Sequence, residues 1–87
     1  MAAPAHPALA ACLAADQARQ VLASGGAAAP SHIANVLKQR YGVDVIGSGQ
    51  LCESGGGYVY QLTVLGPGSH AERLVVDAVS GAVLSRN

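Results

Sequence analysis

The sequence predicts an α+β domain in which two N-terminal helices pack on an antiparallel meander sheet of three or four strands. An apolar stripe at helical spacing begins at Ile33, and alternating side chains from Tyr58 to Leu65 are typical of a half-buried strand. Further on, the Val-rich runs of residues 73–84 flank Asp77 and Gly81, which is the turn chemistry of a β-hairpin.

The first thirty residues predict an Ala-rich helical segment followed by a linker. Pro7 suits a first helical turn, and the unbranched residues from Ala8 to Ala23 favour a helix that Ser24 and two glycines end. The apolar residues of this stretch fall on two sides of a helical wheel. Either the helix breaks near Ala15, with Asp16 as a new N-cap, or one continuous helix contacts two surfaces.

Residues 31–87 predict the main unit of the domain. Its helix is expected from Ser31, as the N-cap, to Tyr41, and Gly42 would end it. Its apolar stripe consists of Ile33, Val36, Leu37 and Tyr41. The strands are expected at 43–46, with a possible continuation at 50–53, and then at 58–65, 71–76 and 82–85.

Composition restricts the core and the partners. The 87 residues contain no Phe or Trp, so aliphatic side chains and three Tyr must supply the buried area. Five basic and five acidic residues are scattered singly and give a net charge of zero, which argues against nucleic acid and anionic membranes as partners. No apolar run approaches the 20 or so residues of a transmembrane helix, so none is expected.

The opening residues lack the basic and apolar regions of a signal peptide. Residues 2–7 are instead expected to be the frayed start of a mature exported protein, with Met1 added for expression. Cys12 and Cys52 could form a disulfide that closes a loop of about 40 residues, or they could be two small buried hydrophobic residues. The disulfide is the expectation in an oxidising compartment.

The predicted sheet has two apolar faces. Tyr60, Leu62, Val64, Leu74 and Val76 would pack on the helix stripe. Val59, Leu65 and Val75 would then form a candidate protein-binding face on the other side, covered by the first helix, a second copy of the chain or a partner.

No catalytic, cofactor-binding or metal-binding residues are expected. His6, His32 and His70 lack the close ligand spacing of a zinc site and are expected at the surface. Ser31 and Ser80 have no identifiable base beside them, so cap and turn roles are expected. Asp77 and Gly81 are structural turn residues, and the chain is not expected to be an enzyme.

Three features follow one another along the chain: a helix, a Tyr-containing strand over 58–64 and the element Asp77-Ala78-x-Ser80-Gly81-x-Val83-Leu84. This ordered set resembles the PepSY domain family. The resemblance covers roughly residues 33–86, and the Gly-rich segment 47–57 and the first thirty residues depart from the pattern. It implies a small α/β domain outside the bacterial cytoplasm, since such domains occur in propeptides of thermolysin-like metallopeptidases and in cell-envelope proteins. No catalytic residue carries over.

The resemblance leads to a functional expectation. The chain is expected to be a non-catalytic binding or regulatory module, periplasmic or secreted, that restrains a peptidase or senses at the cell envelope. Its partner would be a peptidase or another envelope protein. The alternative is a structural envelope protein that forms a homodimer and has no peptidase target.

Overall fold

A computed structural model describes residues 11–86, apart from the side chain of Ser48, and shows the predicted α+β class. Strands β1 to β5 form one antiparallel sheet in chain order, which is a meander interrupted by two helices after its first strand. The elements are β1 (Ala11–Cys12), α1 (Ala15–Ala23), α2 (Pro30–Tyr41), β2 (Asp44–Ser54), β3 (Gly57–Leu65), β4 (Ala71–Asp77) and β5 (Val83–Arg86).

The strand count exceeds the prediction because of β1. The sequence predicts a helix over residues 8–23, whereas Ala11 and Cys12 pair with Glu53 and Cys52 at the edge of the sheet. Residues 8–10, like Pro7, His6 and the expected exported N-terminus, lie outside the described residues. Pairing with β2 overrides the helix propensity of the alanines, since propensity is a weak preference beside tertiary contacts.

The first helix begins at Ala15, where the sequence predicts a break as one of two alternatives. Its N-cap is Ala14, however, and Asp16 lies inside the first turn. The Gln17 side chain accepts a hydrogen bond from the Ala14 N–H at 3.3 Å, which is one half of a capping box, while Ala14 has no side-chain oxygen for the other half.

The N-cap of the second helix lies two residues before the predicted one. Ala29 is the N-cap and Pro30 occupies the first turn, so the prediction of Ser31 as the cap is wrong. Gly42 ends the helix as predicted: its φ is +70° and its N–H donates to the Lys38 carbonyl at 3.0 Å. The Lys38 ammonium then pairs with Asp44 at 2.8 Å at the start of β2.

Strand β2 joins the two predicted short strands into one. The register with β3 shifts between Ile46 and Gln50, where Gly47 has a φ of +71°, so a local irregularity accommodates the Gly-rich segment. The turn from β2 to β3 contains Gly55 and Gly56, both with positive φ. Two such residues fit the tight turn whose twist matches that of the flanking strands.

The core lies between the helices and the face of the sheet that we call the inner face. The five strand residues predicted to face the helix all belong to this core, together with Ile33 and Leu37 of α2. Ala18, Val21 and Leu22 of α1 pack against the same cluster. Both helices therefore lie on one side of the sheet. Among residues 11–86, neither helix combines the length and the apolar character that crossing a membrane requires.

One polar contact connects the core to the segment between the helices. The Tyr60 hydroxyl donates a hydrogen bond to the Ala28 carbonyl at 2.7 Å. Burial raises the pKa of Tyr60. The Ala28 N–H in turn donates to the Ala78 carbonyl at 2.8 Å. The carbonyl and the N–H of Ala28 therefore both hold this segment in place.

Candidate binding surface

The turn between β4 and β5 has the predicted chemistry. Asp77 Oδ1 accepts hydrogen bonds from the backbone N–H groups of Ser80, at 2.9 Å, and Val79, at 2.8 Å. These two bonds lower the pKa of Asp77, because they stabilise the carboxylate. Gly81 has a φ of +79° and donates its N–H to the Asp77 carbonyl at 2.9 Å. Both residues are thus engaged in holding the turn.

Cys12 and Cys52 form a disulfide across β1 and β2. They are directly opposite each other, with 3.8 Å between their Cα atoms, and the Leu13 N–H donates to the Leu51 carbonyl beside them at 2.9 Å. The alternative of two unbonded buried cysteines is therefore wrong. The bond is asymmetric in exposure, since Cys12 is exposed and Cys52 is fully buried.

The disulfide lies on the face of the sheet opposite the helices, which we call the outer face. Cys52 is paired with Val59, and Val59 with Asp77, so these side chains share that face. Val59 is only 6% exposed although it does not belong to the core cluster. The disulfide-bonded Cys52 is its pairing partner on β2. Val75, half-buried, is the diagonal neighbour of Val59 on β4.

Leu65, the third residue of the predicted binding face, lies at the far end of the same face. It is half-buried and pairs with Asp44 and Ala71. Its diagonal neighbour Ile46 is 38% exposed, and sequence reasoning did not single it out. Gln61 and Thr63 stand between Leu65 and Val59 on β3. The outer face therefore carries two apolar patches with a polar band between them, rather than one continuous patch.

An open cleft of about 280 Å³ lies between the end of α2 and β5. Val43, Leu74 and Val83 contribute apolar lining, and an ion pair of 3.0 Å joins Glu72 to Arg86 beside them. His70 also lines this cleft. No sequence pattern indicates this cleft, because its walls come from the end of α2, the residue before β2, the β3–β4 turn, β4 and β5, which are not all neighbours along the chain.

His32 is exposed in the first turn of α2, and His6 lies outside the described residues. Within residues 11–86, no group of three or more His, Cys, Asp or Glu side chains is arranged to hold a metal ion.

Comparison with protein-family models, curated proteins and solved structures gave no match for this chain. The resemblance to the PepSY family accordingly stays a prediction that depends on the strand and turn residues quoted above.

Proposed function

We propose that this chain is a non-catalytic module that binds or regulates another protein outside the cytoplasm, with a peptidase or a cell-envelope protein as its target. The observation that carries the proposal is the uneven covering of the sheet. Both helices pack against the inner face, while the outer face retains the half-buried Leu65 and Val75 and the exposed Ile46.

An apolar patch beside a polar band suits recognition of a protein surface. Apolar groups supply the driving force for association, and polar neighbours such as Gln61 and Thr63 can pair with groups of the partner. At 38% exposed, Ile46 is an accessible aliphatic side chain of this face. It is therefore a better point for perturbation than Val59, where a charge would have to be buried.

The disulfide supports the proposed location. Disulfides form and persist in oxidising compartments such as the bacterial periplasm and the extracellular medium, and they are rare in the cytosol. The Cys12–Cys52 bond closes a separation of 40 residues within a chain of 87, which is a long loop for so small a domain.

The test compares two single substitutions in a capture experiment. Ile46→Lys places a charge on the outer face, and Val79→Lys places the same charge at an exposed valine in the β4–β5 turn. Each variant and the native chain are immobilised and exposed to an extract of the cell envelope. Bound proteins are identified by mass spectrometry, and the peptidase activity of any captured peptidase is measured with and without the module.

We expect the native chain and Val79→Lys to enrich the same protein and Ile46→Lys to lose it, because a desolvated ammonium is costly at a contact. Equal capture by all three proteins would refute a role for this face. Light scattering distinguishes the alternative: a native dimer that Ile46→Lys converts to a monomer would assign the face to self-association.

A further inference from the structure

We propose that strand β5 and the cleft beside it bind a short extended segment of another protein. The segment joins the sheet as a further strand along β5 and places one aliphatic side chain in the cleft that Val43, Leu74 and Val83 line. This surface is separate from the outer face, so the inference does not depend on the proposed function.

The first support is the open edge of β5. It is the last strand of the sheet, so one of its edges has no strand partner among residues 11–86. An edge of this kind presents unpaired backbone N–H and C=O groups. Extended peptides add to such edges, because main-chain hydrogen bonds supply affinity and pockets for alternate side chains supply specificity. Leu84 on this strand is 59% exposed, which leaves the strand accessible.

The second support is that the cleft lies on the inner-face side of the same strand. Val83 pairs with Val76, and Arg86 pairs with Leu74, and both of these β4 residues belong to the core. Val83 and Arg86 therefore point to the inner face, and both line the cleft. Side chains of an added strand alternate between the two faces, so every second one would lie on the side of the cleft.

The wall that the β3–β4 turn contributes is fixed by the backbone. The Gly66 N–H donates to the His70 carbonyl at 3.0 Å, and the Ser69 N–H donates to the Gly66 carbonyl at 3.1 Å. Gly66 and His70 both line the cleft. A wall that is already ordered lowers the cost of ordering on binding.

Size and charge favour one uncharged side chain in the cleft. Its volume of about 280 Å³ is at the small end for ligand pockets, so it suits one or two residues of a peptide better than a large cofactor. Arg86 and Glu72 form an ion pair beside it. A charged side chain would lose hydration there and meet partners that already neutralise each other, whereas an aliphatic side chain would not.

The length of β5 favours a short segment over a second copy of the chain. The strand has four residues, which give about 13 Å of edge. Pairing along so short an edge falls well below the roughly 1,200–2,000 Å² that stable protein interfaces bury. A weakly bound peptide segment needs no such area.

The test uses capped pentapeptides of Thr with a variable central residue. This residue is Leu, Ile or Val in three peptides and Glu or Lys in two others. Each peptide is added to the isotope-labelled native chain, and chemical-shift changes of the backbone amides give both the Kd and the place of binding.

We expect at least one aliphatic peptide to bind with a Kd below about 1 mM and to shift residues 83–86 and 66–70 most. The Glu and Lys peptides should bind at least about tenfold more weakly. No binding by the three aliphatic peptides at about 1 mM would overturn the proposal. Equal binding by all five, or shift changes centred on Ile46 and Leu65 of the outer face, would overturn it as well.

Methylated peptides test the strand pairing. Successive N–H groups of a strand point to opposite edges, so methylation of one of two neighbouring peptide amides should abolish binding, and methylation of the other should have little effect. If both methylated peptides bind like the parent, the segment does not pair with β5 and the proposal fails.

Two glycine substitutions test the cleft in the protein. A Cβ at Gly66 would lie 3.7 Å from Cγ1 of Val43, which is ordinary contact, so Gly66→Val should fold and fill part of the cleft. Gly57→Val is the matched control at the other end of β3, where a Cβ would meet no described atom within 4 Å beyond the chain neighbours. Tyr41→Ser, at a lining residue that is 43% exposed, is a second cleft variant in case Gly66→Val does not fold.

The cleft variants should bind the best peptide at least about tenfold more weakly, and Gly57→Val should bind it like the native chain. Equal binding by the native chain, the folded cleft variants and the control would refute a role for the cleft. Light scattering of the native chain without peptide provides the last check: a dimer whose β5 amides are protected from hydrogen exchange would show that a second copy occupies the edge, and this would overturn the proposal.

Discussion

Gly81 combines two separate constraints, and a substitution there can measure each of them. Its φ of +79° lies in the left-handed region, which costs a residue with a Cβ about 1–2 kcal/mol. An ideal Cβ at this position would also lie 2.9 Å from Cγ1 and 3.3 Å from Cβ of Val36. Overpacking of this kind costs about 1–3 kcal/mol. We therefore expect Gly81→Ala to lower the free energy of unfolding by about 2–5 kcal/mol.

Gly25 provides the matched control. Its φ is +85°, close to that of Gly81, but among the described residues no atom beyond its two chain neighbours lies within 4 Å of the position that its Cβ would take. Gly25→Ala should therefore show only the backbone cost of about 1–2 kcal/mol. Thermal unfolding followed by circular dichroism measures both variants, and each kcal/mol corresponds to roughly 4–8 °C in Tm for a domain of this size.

A double-mutant cycle then assigns the difference to Val36. In the Val36→Ala background the 2.9 Å contact with Cγ1 is gone and only the 3.3 Å contact with Cβ remains, so the cost of Gly81→Ala should fall towards the value of Gly25→Ala. The reasoning fails if Gly81→Ala and Gly25→Ala are equally destabilising, or if the cost at Gly81 does not depend on Val36.

Two further predictions concern polar groups. The pKa of the Asp77 carboxyl is lowered in the folded protein, chiefly by the hydrogen bond from the Ser80 N–H. The carboxylate therefore stabilises the fold at pH values above its unfolded pKa of about 3.9. This contribution is lost as the pH falls through the lower pKa of the folded protein. Urea unfolding measures the free energy of unfolding of the native protein and of Asp77→Asn. The difference between the two should be constant between about pH 5 and 7 and should shrink below about pH 4. A difference that persists in acid would contradict this account. Tyr60→Phe removes the donor to the Ala28 carbonyl and should lower the free energy of unfolding by about 1–2 kcal/mol. Tyr41→Phe, at a tyrosine that is 43% exposed, is the control and should change it very little. Equal Tm values for the two variants would show that the Tyr60 hydrogen bond contributes no stability.

Local patterns were enough to locate most of the elements. The stripe from Ile33 to Tyr41 predicted the N-cap of α2 within two residues, and the alternation from Tyr58 predicted β3 within one residue. The Asp77–Gly81 turn was predicted with its hydrogen-bonding roles, because such roles depend on residues within four positions of each other. The two sides of the sheet also followed from alternation alone.

The N-terminal segment shows where local patterns fail. Alanine favours a helix in any sequence, yet Ala11 and Cys12 form a strand because Cys52, far along the chain, supplies both a pairing partner and a covalent bond. The candidate binding surface depends on tertiary structure in the same way. The sequence placed Val59, Leu65 and Val75 on one face, but only the register of β2, β3 and β4 shows that Leu65 adjoins Ile46 and that Val59 lies beside the disulfide.

Local sequence patterns were sufficient for the α+β class, the positions of α2 and four strands, the inner side of the sheet and the chemistry of the last turn. Each of these depends on periodicity or on neighbours in the chain. Tertiary structure alone decided the strand β1, the redox state of the two cysteines, the start of α1 and the division of the outer face. These features depend on which distant residues meet, and that is set by strand register and by packing over the whole core.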